Sequence, residues 1–168
     1  MFYDALRSGL TLPGLRSRDV VRALHYLESR PDAGSGAAVI GHGRGGLLAL
    51  YAAALDDRVE AVAVNGSLIS YSSVVEGDLY AHSIGSFVPE ALRDFDLHDI
   101  AALIAPRPLL ILNAVDHLHE RVGLERLRES YRGAKHVYQL LQASQNLSLL
   151  NRISSAEILD AYRRHFGN

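Results

Sequence analysis

Ala37-Ala38-Val39-Ile40-Gly41-His42-Gly43-Arg44-Gly45-Gly46 runs from a short apolar segment into a glycine cluster, and Leu47 to Leu55 then continue without a helix breaker. An apolar run, a tight glycine turn and a second, longer apolar run predict strand, turn and helix. Asp56-Asp57-Arg58 turns the chain, and Val59 to Val64 forms a second apolar run ending at Asn65-Gly66. Its lack of alternation predicts a strand buried on both faces.

The same alternation extends outward. Upstream, Val20, Val21, Leu24 and Leu27 share one helical face, with Ser17 as the expected N-cap and Pro31 closing the helix. Downstream, residues 67 to 95 lack a period and are rich in Ser, Gly and Tyr, which predicts an irregular excursion. Asp96 is the expected N-cap of a helix from Leu97 to Ala105, and Pro106-Arg107-Pro108 stops it before a third strand, Leu109 to Leu112. Asp116 to Glu120 reads as a polar turn, Leu124 to Tyr131 as a helix and Val137 to Leu141 as a fourth strand. Ser154-Ser155-Ala156-Glu157 is a capping box for a last helix. Buried strands alternating with helices predict an α/β fold: three layers, α/β/α, around a mainly parallel sheet of about four strands, in a single domain spanning 1–168.

Composition narrows the function. The 168 residues hold no cysteine, which excludes a disulfide framework, a thiolate nucleophile and a Cys-ligated metal. A net charge of −2, with sixteen Arg and only Lys135 scattered along the chain, provides no electrostatic footprint for nucleic acid. The longest apolar run is too short to cross a bilayer, and Met1 to Arg7 lacks the pattern of a signal peptide, so no membrane contact and a cytoplasmic location are expected.

In a parallel sheet, chemistry gathers where the strands end. Gly41-x-Gly43-x-x-Gly46 fits the dinucleotide fingerprint, which would also want an acid after the second strand, where Asn65-Gly66 stands. Gly41-His42-Gly43-Arg44-Gly45 fits the nucleophile elbow Gly-x-Ser-x-Gly at both flanking glycines and puts Gly43 at the serine position. Asp116-His117-Leu118-His119-Glu120 holds four metal-ligating side chains, but its residues suit a solvated turn better than a rigid zinc site; no metal and no cofactor are expected. Ser67 and Ser70 are alternative nucleophiles, with turn formation as the plainer explanation.

With the elbow, the stretches Asp19 to Leu27, Ile104 to Ile111 and Asn113-Ala114-Val115-Asp116 resemble the C-terminal portion of the α/β-hydrolase superfamily, in its acetyl xylan esterase and dienelactone hydrolase branch. The likeness covers roughly residues 17 to 142 and implies that the strands are the family's fifth to eighth and that Asp116 matches its catalytic acid. The chain departs from the family at three points. Gly43 has no side chain with which to attack an ester, no His follows the expected last strand (none occurs between His136 and His165), and the family's first half is missing. At the family's usual ~250 residues, the chain is about a hundred short.

The expected function is therefore that of a relative of carboxylic ester hydrolases with an incomplete serine triad and weak or lost esterase activity. Residual hydrolysis would use Asp116 and His42 with an activated water, and the Arg44 and Gly45 backbone would bind the oxyanion of a small ester or another anionic ligand. The competing expectation is a non-catalytic module, a homodimer or a subunit of a larger assembly, joined through the unpaired edge of the strand at 37–41. A third is nucleotide or anion binding at Gly41 to Gly46.

Overall fold

The strand, turn and helix around Gly43 form where the apolar pattern places them. In a computed structural model that describes residues 2–34, 36–152 and 154–167, β1 spans Ala37–His42 and α3 spans Arg44–Leu55. β2 (Val59–Asn65), β3 (Leu109–Leu112) and β4 (Leu147–Leu150) complete a parallel sheet in the order β1-β2-β3-β4. The remaining helices are α1 (Phe2–Arg7), α2 (Leu12–Glu28), α4 (Ser72–Val75), α5 (Leu97–Ala102), α6 (Leu124–Ser130), α7 (Arg132–Leu140) and α8 (Ser155–Phe166).

Side chains alternate across the sheet into two cores, as a pleated strand requires. Val62, Val64, Leu109 and Ile111 pack with α2, α3, α5 and α7 through Leu24, Leu50, Leu97, Ala134 and Tyr138. On the other face, Ala63, Leu110 and Leu112 meet Ala161 of α8, with Ile158, Tyr162 and Phe166 around it. The architecture is thus the expected three-layer α/β/α sandwich. Arg107 ties it together: its guanidinium donates to the carbonyls of Ala53 (2.7 Å), Val59 (2.8 Å) and Asp56 (3.1 Å), capping the C-terminal end of α3.

Four boundaries differ from the sequence expectation. α2 starts at Leu12, capped by the Thr11 hydroxyl, which accepts from the Gly14 N–H at 3.1 Å, with Pro13 in the first turn. Ser17 is therefore inside the helix and buried, not its cap. α5 ends at Ala102, three residues early, although Asp96 caps it as expected. Tyr131 separates α6 from α7. Val137 to Leu141 is not a strand: Leu127, Tyr131, Ala134 and Tyr138 are all buried, at helical spacings of four, three and four. The fourth strand is ten residues later, at Leu147–Leu150, where every residue is half-buried.

Candidate functional site

Gly43 stands between β1 and α3 at φ 54° and ψ −121°, in the left-handed half of backbone space that glycine occupies at low cost. The turn is held tightly on both sides. A Cβ on Gly41 would lie 2.3 Å from the Gly45 carbonyl oxygen, and one on Gly46 would fall on the Ser67 hydroxyl. The Ser67 hydroxyl in turn donates to the Gly43 carbonyl, and the Gly43 N–H donates to the Asn65 carbonyl at 2.9 Å. At Gly43 itself the space is open: a Cβ there would meet nothing within 4 Å. The backbone has the shape of a nucleophile elbow, and the position where a side chain would project carries none.

The first two amides of α3, on Arg44 and Gly45, have no acceptor among the described residues. They sit at a helix N-terminus, where the partial positive charge favours an anion. They open on a cavity of about 470 Å³ lined by the elbow, by Leu47 and Leu48 of α3, by Leu12, Pro13 and Arg16 of α2, and by Gly85 and Ser86. The α2 and Ser86 walls escaped the sequence reading, because only the fold carries the start of α2 and the excursion after β2 to the elbow.

The expected partners of the elbow are not brought into one hydrogen-bonded array. β1 and β3 are not adjacent, as a direct His42–Asp116 pair requires; β2 lies between them, which sets their ends about 10 Å apart. The exposed His42 ring lies over Gly66, at the end of β2. Asp116, on the turn after β3, accepts from the N–H groups of Leu118 (2.9 Å) and Glu120 (3.0 Å). Burial acts to raise its pKa, but these two donors together with the charges of His117 and Arg126 outweigh it and hold the carboxyl below its ordinary value. Its backbone carbonyl meets Nε2 of the buried His82 at 2.7 Å. His119 stacks on His82 at 3.9 Å between ring centroids, and His117 packs against Gly77. Among the described residues no group of three or more metal-ligating side chains is arranged to hold an ion.

Since β4 comes later than expected, the segment that follows the last strand is Asn151 to Ser154, and it too has no histidine. Asn151 and Arg152 stand there. The Arg152 N–H donates to the Asn113 side chain (2.8 Å), whose amide donates to Asn65 (3.2 Å), so side-chain amides bridge the carboxyl ends of β2, β3 and β4. His136 is on the exposed side of α7. Ser67 and Ser70 are turn formers: Ser67 braces the elbow, and the Ser70 hydroxyl accepts from the Ser73 N–H at 3.0 Å. No helix among the described residues is long and apolar enough to cross a membrane.

No family model matches the chain. A Bacillus subtilis (strain 168) protein described as "Putative hydrolase YtaP" is 29% identical over 153 residues, covering 86% of this chain and 51% of that protein. The crystal structure described as a "putative acetyl xylan esterase" from Bacteroides fragilis NCTC 9343 superposes with a TM-score of 0.72 at 19% identity, over 92% of this chain and 39% of that one. A CE15 glucuronoyl esterase from Caldicellulosiruptor kristjansonii superposes with a TM-score of 0.63 at 23% identity, over 86% and 47%. The chain spans about half the length of the curated relative it matches and less than half of these two solved structures. What it shares with the esterases is the architecture: the sheet and its flanking helices form an α/β-hydrolase-like fold.

Proposed function

We propose that this chain is a relative of carboxylic ester hydrolases that has lost serine chemistry and holds a small ester or carboxylate at its elbow without forming an acyl-enzyme. The observation that carries this reading is Gly43: an elbow backbone at φ 54° and ψ −121° with free amides on Arg44 and Gly45, and no side chain to attack. Preorganised amides stabilise a carbonyl oxyanion whatever stands beside them. Acyl transfer further needs a nucleophile and a base to take its proton. Glycine supplies no nucleophile, and the segment between β4 and α8 holds no His to serve as base.

Short p-nitrophenyl esters test this. Turnover should stay at the buffer rate, a serine-reactive phosphonate should leave the protein mass unchanged, and acetate should shift the Arg44 and Gly45 amide resonances. Turnover that His42→Ala abolishes would overturn the loss of chemistry and install His42 as the base for an attacking water.

A second reading, a self-associating module, is favoured by β1, which among the described residues is hydrogen-bonded on one side only and presents Ile40 with 53% of its surface exposed.

A further inference from the structure

Arg16 projects from α2 and Arg44 from the first turn of α3, and both line the elbow cavity. Neither has a carboxylate partner among the described residues, whereas nine other arginines are ion-paired. Among the described residues no acidic side chain lines the cavity. Ser86 closes another wall: it is 3% exposed, and its hydroxyl has no hydrogen-bond partner among the described residues. A buried hydroxyl without a partner is costly unless a ligand satisfies it. Leu12, Pro13, Leu47 and Leu48 make the remainder of the lining apolar.

These features fit a ligand with two anionic groups on a short carbon frame. We propose that the cavity binds a short dicarboxylate or its half-ester. One carboxyl or ester carbonyl sits on the Arg44 and Gly45 amides and the other carboxylate on the Arg16 guanidinium, with the Ser86 hydroxyl donating to the bound oxygens. The apolar lining accommodates the methylene carbons, which inorganic phosphate lacks. A guanidinium fork matches the flat, two-oxygen face of a carboxylate. This rests on the elbow being a ligand site, as argued above, and adds the charge and class of what it holds.

Titration of the full chain with succinate, acetate and inorganic phosphate, followed by amide resonances and calorimetry, tests it. Succinate should bind at least tenfold more tightly than acetate, shifting the Arg44 and Gly45 amides. Arg16→Gln, at an exposed helical position, should remove that advantage and lower succinate affinity at least tenfold. Succinate no tighter than acetate, or unaffected by Arg16→Gln, overturns the dicarboxylate assignment while the elbow reading stands. Phosphate binding as tightly as succinate with the same Arg16 dependence overturns the carboxylate class. If none of the three moves the elbow amides, the elbow reading itself falls, and this proposal with it.

Discussion

Two glycines in the elbow have distinct reasons to be glycine, and substitution separates them. Gly43→Ser meets no steric obstacle but forces a side chain into φ 54°, so the protein should fold with a loss of about 1–3 kcal/mol in urea unfolding. Gly41→Ala should cost more than that, since its methyl would stand 2.3 Å from the Gly45 carbonyl and push the turn apart. Equal losses for the two would mean that space, not conformation, governs both positions. Away from the site, Asp56 shows a single carboxylate locking a turn. It accepts from the Arg58 Nε at 2.8 Å and from the Arg58 N–H at 3.0 Å, and the side-chain bond from Arg58 is the main reason its pKa is pushed down to about 2. A depressed carboxyl stabilises the fold above its unfolded pKa and loses that contribution as the pH falls toward the folded value. Asp56→Asn should therefore lower stability by about 1–2 kcal/mol at pH 7 and by progressively less from pH 4 to pH 2, as read from urea midpoints.

Single elements show what a sequence reveals and what it withholds. The elbow, β2, β3 and the capping box of α8 were legible because each announces itself locally, by an unbroken apolar run or by a cap at fixed spacing; the Ser154 hydroxyl and the Glu157 carboxylate do exchange bonds with the opposite backbone N–H groups. β4 was not legible. Four half-buried residues, Leu-Ser-Leu-Leu, are too few to show a period, while Val137 to Leu141 imitates a strand unless Leu127, Tyr131 and Ala134 are counted with it. The cavity walls were hidden for a different reason, since contact between α2, Ser86 and the elbow exists only in the folded chain. α8 adds a dependence on pH. His165 Nε2 meets the Val62 carbonyl at 3.0 Å, and burial lowers its pKa despite that bond. A histidine with a lowered folded pKa costs nothing above its unfolded value of about 6.5; below it, the unfolded chain takes up a proton that the folded one refuses. Stability should therefore fall as the pH drops from about 6.5 toward 5. His165→Gln should flatten part of that slope, and His82, lowered in the same direction by burial, accounts for a separate share that His82→Gln would remove. A slope identical in wild type and both variants would place the acid sensitivity elsewhere.

At the scale of the whole molecule, the two edges of the sheet differ. β4 is four residues long, and the Asn146 side chain beside it is fastened to the Pro106 carbonyl at 2.7 Å. β1 is six residues long and, among the described residues, pairs with β2 alone. Its inward residues Ala37 and Val39 join the larger core, but on the opposite face Ala38 and Ile40 are exposed, since the core under α8 draws on β2, β3 and β4 and does not reach them. A strand with one open edge and an apolar residue on a bare face is a template for another strand. We propose that β1 of a second copy occupies it, giving a two-fold dimer in which the two edge strands run antiparallel. Light scattering should then show a mass that rises with concentration toward twice the monomer. Ile40→Lys, which sets a charge on the bare face without touching either core, should hold the protein at monomer mass with an unchanged far-ultraviolet spectrum. A wild-type chain that stays monomeric at all concentrations, or a dimer indifferent to Ile40→Lys, would leave the β1 edge without this role.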